Sequence, residues 1–260
     1  MIDWDSMRDA RGDSGVVVER LLDRLRLEPD AALWDELDRR LVVENECFFS
    51  VGFAALPALS QLAQSGDTEQ RDRALDLAAV ITRTLHRNHE DDRLVTANPQ
   101  ALAVLHSLAQ ARVATCVGPP LVRRLQDTLA FAGYTFWASI SLDFADEHYH
   151  LGCPHCSTRL AIVIGDYGHY SAIRDYSDGD VHRLPLRPAA PADLAGIGQW
   201  MHDTAVAGHD MTLADGLTYL FGQAACGACG STFNLTDWFE AENSPTQPID
   251  PIVPRTDRST

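Results

Sequence analysis

The stretch Gly152-Cys153-Pro154-His155-Cys156, followed by Ser-Thr-Arg-Leu-Ala-Ile-Val-Ile-Gly up to Gly165, decides how the second half of the chain is read. A Cys-x-x-Cys pair serves either as a redox-active dithiol or as half of a metal site. A redox dithiol works because its first cysteine sits at a helix N-terminus, where the dipole stabilises a thiolate. Here a β-branched run follows Cys156, and such a run predicts a strand. The metal reading explains more. A second pair, Cys226-Gly227-Ala228-Cys229, brings the thiolates to four, enough for a tetrahedral zinc shell. Two residues between ligands let one tight turn offer both sulfurs. Pro154 presets φ in the first turn, and Gly230 suits the positive φ that such a turn needs after its second cysteine.

Both pairs adjoin predicted strands, so the sequence reads as two hairpins clamping one ion, a zinc ribbon. The separation is unusual: 69 residues lie between Cys156 and Cys226, against ~15–20 in ordinary sites of this kind. The intervening residues must then be an insertion whose ends return to the metal, which is tolerable because loop closure costs grow slowly with length. Cys153, Cys156, Cys226 and Cys229 are therefore the expected ligands of one structural Zn2+, since four thiolates leave no open position for catalysis. His155 should point away from the ion. His148 and His150 alternate on the approaching strand and read as surface strand residues. Cys47 and Cys116 lie in apolar helical surroundings and read as small core residues.

The chain has 260 residues, 45% of them hydrophobic and 22% charged, the balance of a globular protein. No run approaches the ~18 apolar residues of a membrane span. The acidic start Met1-Ile2-Asp3-Trp4-Asp5 lacks the features of a signal peptide, so a cytoplasmic location with reduced thiols is expected. Net charge is −16, and all 21 basic side chains counted with it are Arg. Without lysine, no Schiff-base or lysine-base chemistry is possible. So acidic a surface repels phosphate backbones, and Arg39-Arg40, Arg71-Asp72-Arg73 and Arg123-Arg124 read as solvated helix faces rather than a nucleic-acid patch.

Residues 14–137 read as helix after helix. Asp30 caps a segment in which Leu33, Trp34, Leu37 and Leu41 recur at helical spacing. The stretch from Phe48 to Gln64 is apolar on most sides, as a buried helix would be, and its Pro57 should kink the helix or mark its start. Asp67-Thr68-Glu69-Gln70 has capping-box spacing and opens a helix with Leu75, Leu77, Ala78 and Ile81 inward. A charged link covers 88–93. Asn98-Pro99 opens the next helix, and Gly118-Pro119-Pro120 breaks the chain before Leu121. The stretch "WDELDRR…FFSVGFAALPALSQLA…RDRALDLAAVI" resembles HEAT-like helical-repeat proteins of actinobacterial type, with helix pairs at roughly 40-residue intervals. The resemblance covers about half the chain, without residue-for-residue alignment between repeats.

Near residue 146 the texture becomes β-rich. Three strands are expected over 147–153, 158–165 and 168–176, with Gly165-Asp166-Tyr167-Gly168 as a hairpin turn. A loop over 177–191 follows, then helices over about 190–221, the second dithiol, a strand, and a short helix. The proline-rich tail 244–260 reads as flexible. The fold expectation is therefore mainly α with a small β part: HEAT-like repeats over 14–137, then a zinc ribbon with a helical insertion over 146–243.

Gly12-Asp13-Ser14-Gly15 matches a serine-protease nucleophile only as a string of letters, because it precedes a helix near the start of a helical chain. No dinucleotide fingerprint, paired-carboxylate motif or His-Asp-Ser set stands out. The expected role is thus a non-enzymatic, zinc-containing protein-interaction module, of immunity or regulatory type, whose acidic helical face takes a basic protein partner. Asp35, Glu36, Asp91 and Asp92 are the candidate contacts. An enzyme or accessory subunit of a biosynthetic pathway is the alternative, with Tyr134, Phe136, Trp137, Trp200 and His202 as an aromatic supply for a pocket, although the core of the domain junction is the stronger reading of those residues. A nucleic-acid-binding ribbon comes third, opposed by four Arg against thirteen Asp and Glu over 146–243.

Overall fold

The computed structural model describes residues 2–84, 98–173 and 182–243. The charged link 88–93, Asp91, Asp92 and the tail 244–260 lie outside the described residues. The chain divides into two compact units: Met1–Cys116 with Arg123–Ile140, and Val117–Val122 with Ser141–Thr260.

Five helices carry most of the first unit: α1 (Val16–Leu27), α2 (Ala31–Leu41), α3 (Ser50–Ser65), α4 (Thr68–Arg83) and α5 (Pro99–Val113). Their starts follow the sequence. Asp30 accepts from the Ala32 N–H and Asp67 from the Gln70 N–H, each satisfying a donor that the first helical turn leaves open. Pro99 takes the first position of α5, where a missing N–H is harmless. Pro57 sits inside α3, which runs from Ser50 to Ser65, so the proline does not mark the helix start. α1 packs on α2 and α3, α3 on α4 and α5, and α2 on α4. Leu22, Leu37, Phe53, Leu56, Leu59, Leu75, Ile81 and Leu105 form one buried cluster between them. Each such side chain contributes about 1.5–3 kcal/mol. α6 (Leu121–Phe131) and the short α7 (Thr135–Ser139) follow, and α7 packs on α4.

Two sequence expectations need correction here. Arg40 is no solvated helix residue: it is 8% exposed and its guanidinium donates to Asp9, to Asp13 (2.8 Å) and to Glu36 (2.7 Å). Asp9 is itself buried, so Arg40 ties the N-terminal segment to α2 through an ion pair that neither partner could leave cheaply. Cys47 is fully buried as expected, but Cys116 is only half-buried, because it follows the end of α5.

In the second unit, β1 (Asp146–Gly152), β2 (Arg159–Gly165), β3 (Gly168–Ala172) and β4 (Leu184–Pro185) form an antiparallel sheet in that order. β2 is central and buried along most of its length, which explains why it reads as a continuous apolar run. Gly165 pairs with Gly168 across the two-residue turn. The expected loop over 177–191 contains β4, which pairs with β3 through Tyr170–Pro185 and Ser171–Leu184. A two-residue strand ending in proline carries no periodic signal. α8 (Gly196–Ala207) and α9 (Met211–Leu220) pack on each other, and α9 also meets β2. Gly216 lets the Phe144 ring lie against α9, since a Cβ there would sit 2.2 Å from that ring. β5 (Gln223–Ala225) and β6 (Thr232–Asn234) form a second antiparallel hairpin, and α10 (Leu235–Asn243) packs on β1.

Candidate metal centre

Two details return the inserted helices to the cysteines. Arg187 and Gln223 exchange backbone hydrogen bonds of 2.9 and 2.8 Å, closing the excursion that holds α8 and α9. The Ser171 hydroxyl then donates to the Ala225 carbonyl (2.7 Å), joining the second hairpin to the main sheet one residue before Cys226. The large sequence gap is thus spanned by a closed loop with backbone pairing at its neck.

The two Cys-x-x-Cys turns are built alike. The first joins β1 to β2 and the second joins β5 to β6. In the first, the Cys153 N–H donates to the Thr158 carbonyl (2.9 Å) and the Ser157 N–H to the Cys153 carbonyl (2.8 Å). In the second, the Cys226 N–H donates to the Ser231 carbonyl (2.9 Å) and the Gly230 N–H to the Cys226 carbonyl (2.8 Å). Gly230 takes φ +74°, as its sequence position suggests, and Ser157 takes the matching φ of +60° despite its Cβ. Such a conformation costs a non-glycine residue about 1–2 kcal/mol and persists only where the surroundings enforce it.

These turns bring all four sulfurs within 4.8 Å of one another. Cys153 faces Cys229 at 3.8 Å, and Cys156 faces Cys226 at 3.7 Å. No disulfide links them; all four thiols are free. Cys153 and Cys226 are buried, whereas Cys156 and Cys229 are exposed. Burial pushes the Cys153 thiol up to about 12 and raises that of Cys226. The hydroxyl and then the backbone N–H of Ser231 hold Cys229 down to about 6, and those of Thr158 lower Cys156. Backbone N–H groups of His155 and Cys156 point at Cys153, and those of Ala228 and Cys229 at Cys226. Each sulfur therefore meets N–H or O–H donors, the environment that clustered thiolates need. Four sulfurs so placed could hold a metal ion.

His155 and His150 are exposed, and among the described residues the cluster consists of the four cysteines. Three residues beside it were not singled out in the sequence. Thr158 and Ser231 were findable, because both stand two positions after the second cysteine of their pair. Glu242 was not: it reaches from α10 to accept the Gly152 N–H, 90 positions away in sequence, next to Cys153. Gly152 permits that approach, since a Cβ would lie 3.0 Å from the carboxylate.

The other candidate residues lie elsewhere. Asp35 keeps an exposed side chain and pairs with Arg73 at 3.2 Å. Glu36 accepts from Arg11 (2.9 Å), Arg39 (3.2 Å) and Arg40 (2.7 Å), and the Arg40 bond above all holds its carboxyl below the ordinary range. Phe136 and Trp137 pack edge to face, 5.0 Å apart, in the core of the first unit, while Tyr134 is exposed. Trp200 and His202 belong to α8. No helix among the described residues is long and apolar enough to cross a membrane. No protein family, curated protein or solved structure matches this chain.

Proposed function

We propose that Cys153, Cys156, Cys226 and Cys229 hold one structural Zn2+ in a zinc ribbon, within a protein whose helical unit is a docking surface. One observation carries the metal assignment. A tetrahedron with Zn–S bonds of about 2.3 Å has S–S edges of about 3.8 Å, and the two cross-turn pairs stand at 3.8 and 3.7 Å. A disulfide would need about 2.05 Å. Two matching turns, each placing one buried and one exposed sulfur on the same point, support a closed four-thiolate shell. Such a shell has no position for substrate, so the ion braces the fold. Substitution with Co2+ tests this reading: a four-sulfur site gives intense tetrahedral d–d bands and sulfur-to-cobalt charge transfer, while weak octahedral bands would refute it.

The helical unit fits a HEAT-like reading in one respect. α1, α3 and α5 pack in sequence and α2 packs on α4, the arrangement that stacked helix pairs produce. The net charge of the whole chain, −16, suits a basic protein partner, as an immunity or regulatory protein would need. Glu36 is committed to three arginines, which leaves Asp35, with its exposed side chain, as the candidate contact among the described residues; Asp91 and Asp92 are proposed from the sequence alone. Association should weaken with salt, mainly through the on-rate, and Asp35→Arg should weaken it further. Salt-independent binding, untouched by reversal at Asp35, Asp91 and Asp92, would refute the docking role.

A further inference from the structure

The four cysteines divide by exposure as well as by turn. Cys156 and Cys229 are exposed, whereas Cys153 and Cys226 are buried. The close sulfur contacts cross from one turn to the other and join unlike partners. Exposed Cys229 faces buried Cys153 at 3.8 Å, and exposed Cys156 faces buried Cys226 at 3.7 Å. Each pair therefore has one residue that a small solute can reach and a second shielded from solvent. A disulfide needs about 2.05 Å, so each pair has only ~2 Å to close. Cys47 is buried and Cys116 half-buried, and neither belongs to this group.

On the zinc reading above, we infer that the metal centre is also an oxidation site, at which a peroxide exchanges the ion for two disulfides, Cys153–Cys229 and Cys156–Cys226. In each pair the exposed thiolate attacks one oxygen of hydrogen peroxide; the O–O bond breaks, hydroxide leaves and a sulfenic acid forms. The buried sulfur, as thiolate, then attacks that sulfenic sulfur. The S–O bond breaks, a second hydroxide leaves and the S–S bond forms. Two thiolates thus give up the two electrons that one peroxide takes. Two peroxides turn Zn2+ and four thiolates into free Zn2+, two disulfides and four hydroxides. Bound zinc withdraws charge from its thiolates and slows their attack on any electrophile, so the exchange needs excess peroxide and prolonged exposure.

The pairing decides what becomes of the fold. Cys153 and Cys229 lie 76 positions apart, and Cys156 and Cys226 lie 70 apart. Both bonds therefore tie the β1–β2 hairpin to the β5–β6 hairpin. The three-residue strands of the second hairpin stay tethered after the ion has left. Disulfides inside each turn, Cys153–Cys156 and Cys226–Cys229, would instead leave the two hairpins without a covalent tie.

The test uses the full chain, purified with its zinc, freed of reductant and exposed to excess hydrogen peroxide. A zinc-binding dye should report loss of the whole zinc content, with four thiols lost per ion released. Non-reducing digestion, with fragmentation of the linked peptides, should yield Cys153–Cys229 and Cys156–Cys226. A dithiol reductant with added Zn2+ should restore the four thiols and one bound ion, since disulfides are reducible where sulfinic acids are not. Cys116→Ala should release zinc at an unchanged rate, which separates this site from the half-buried cysteine outside it. Zinc kept through the exposure, disulfides in any other pairing, or sulfinic acids in place of disulfides would overturn the proposal while leaving the zinc reading intact. A chain that carries no zinc at the outset would overturn the metal reading and this proposal with it.

Discussion

The two units close their folds by different means. In the helical unit, long side chains such as Phe53, Leu56, Leu59 and Ile81 fill one continuous core, and helix caps at Asp30 and Asp67 end the elements cleanly. In the cysteine-bearing unit, the second hairpin has strands of three residues each, Gln223–Ala225 and Thr232–Asn234. A hairpin that short is marginal alone. It lies where four thiols converge, so a covalently bonded ion would hold what apolar burial cannot. The first unit should then be indifferent to metal and the second dependent on it.

The largest expected effect breaks that contrast at its strongest point. Cys153→Ser or Cys229→Ser should abolish metal binding and remove on the order of 10 kcal/mol from the folding of the second unit. Hydrogen exchange should show protection lost in β1, β2, β5 and β6 and retained in α1 to α5. Loss of protection in both units together would mean that they do not fold independently.

The next effect probes the helical unit without touching the cysteines. Asp127 is 1% exposed and accepts from arginines of three helices. Asp127→Asn leaves those cations with one anion fewer and should cost about 3–5 kcal/mol. Denaturant unfolding should show this loss in the helical transition while zinc content stays unchanged. A variant that also loses metal would blur the distinction between the units.

The smallest effect lies inside the turns. Gly230→Ala forces a Cβ into φ +74° and should cost about 1–2 kcal/mol, a loss of roughly tenfold in zinc affinity. Ser157→Gly relieves the same strain in the other turn and should leave affinity equal or slightly higher. Competition with a calibrated chelator measures both, and equal weakening by the two substitutions would refute the matched-turn geometry.

What the sequence revealed, and what it hid, follows from distance along the chain. Ligand spacing is local, so the cysteine pairs and the glycine after Cys229 were legible as a site. The helix starts were legible for the same reason, because a cap and its recipient N–H are two or three residues apart. Ser157 was not, since serine gives no sign of positive φ until its turn is laid over the other. Arg40 looked like a surface residue because its partner Asp9 comes from a segment with no periodicity. β4 and Glu242 depend on tertiary pairing.

The central claim is one zinc ion on four thiolates, and metal stoichiometry tests it most directly. Protein purified without added metal or chelator should contain one zinc per chain by elemental analysis. Cys153, Cys156, Cys226 and Cys229 should resist a thiol reagent until a strong chelator is added. A ratio near zero, with those four thiols reacting at once in a unit that stays folded, would contradict it.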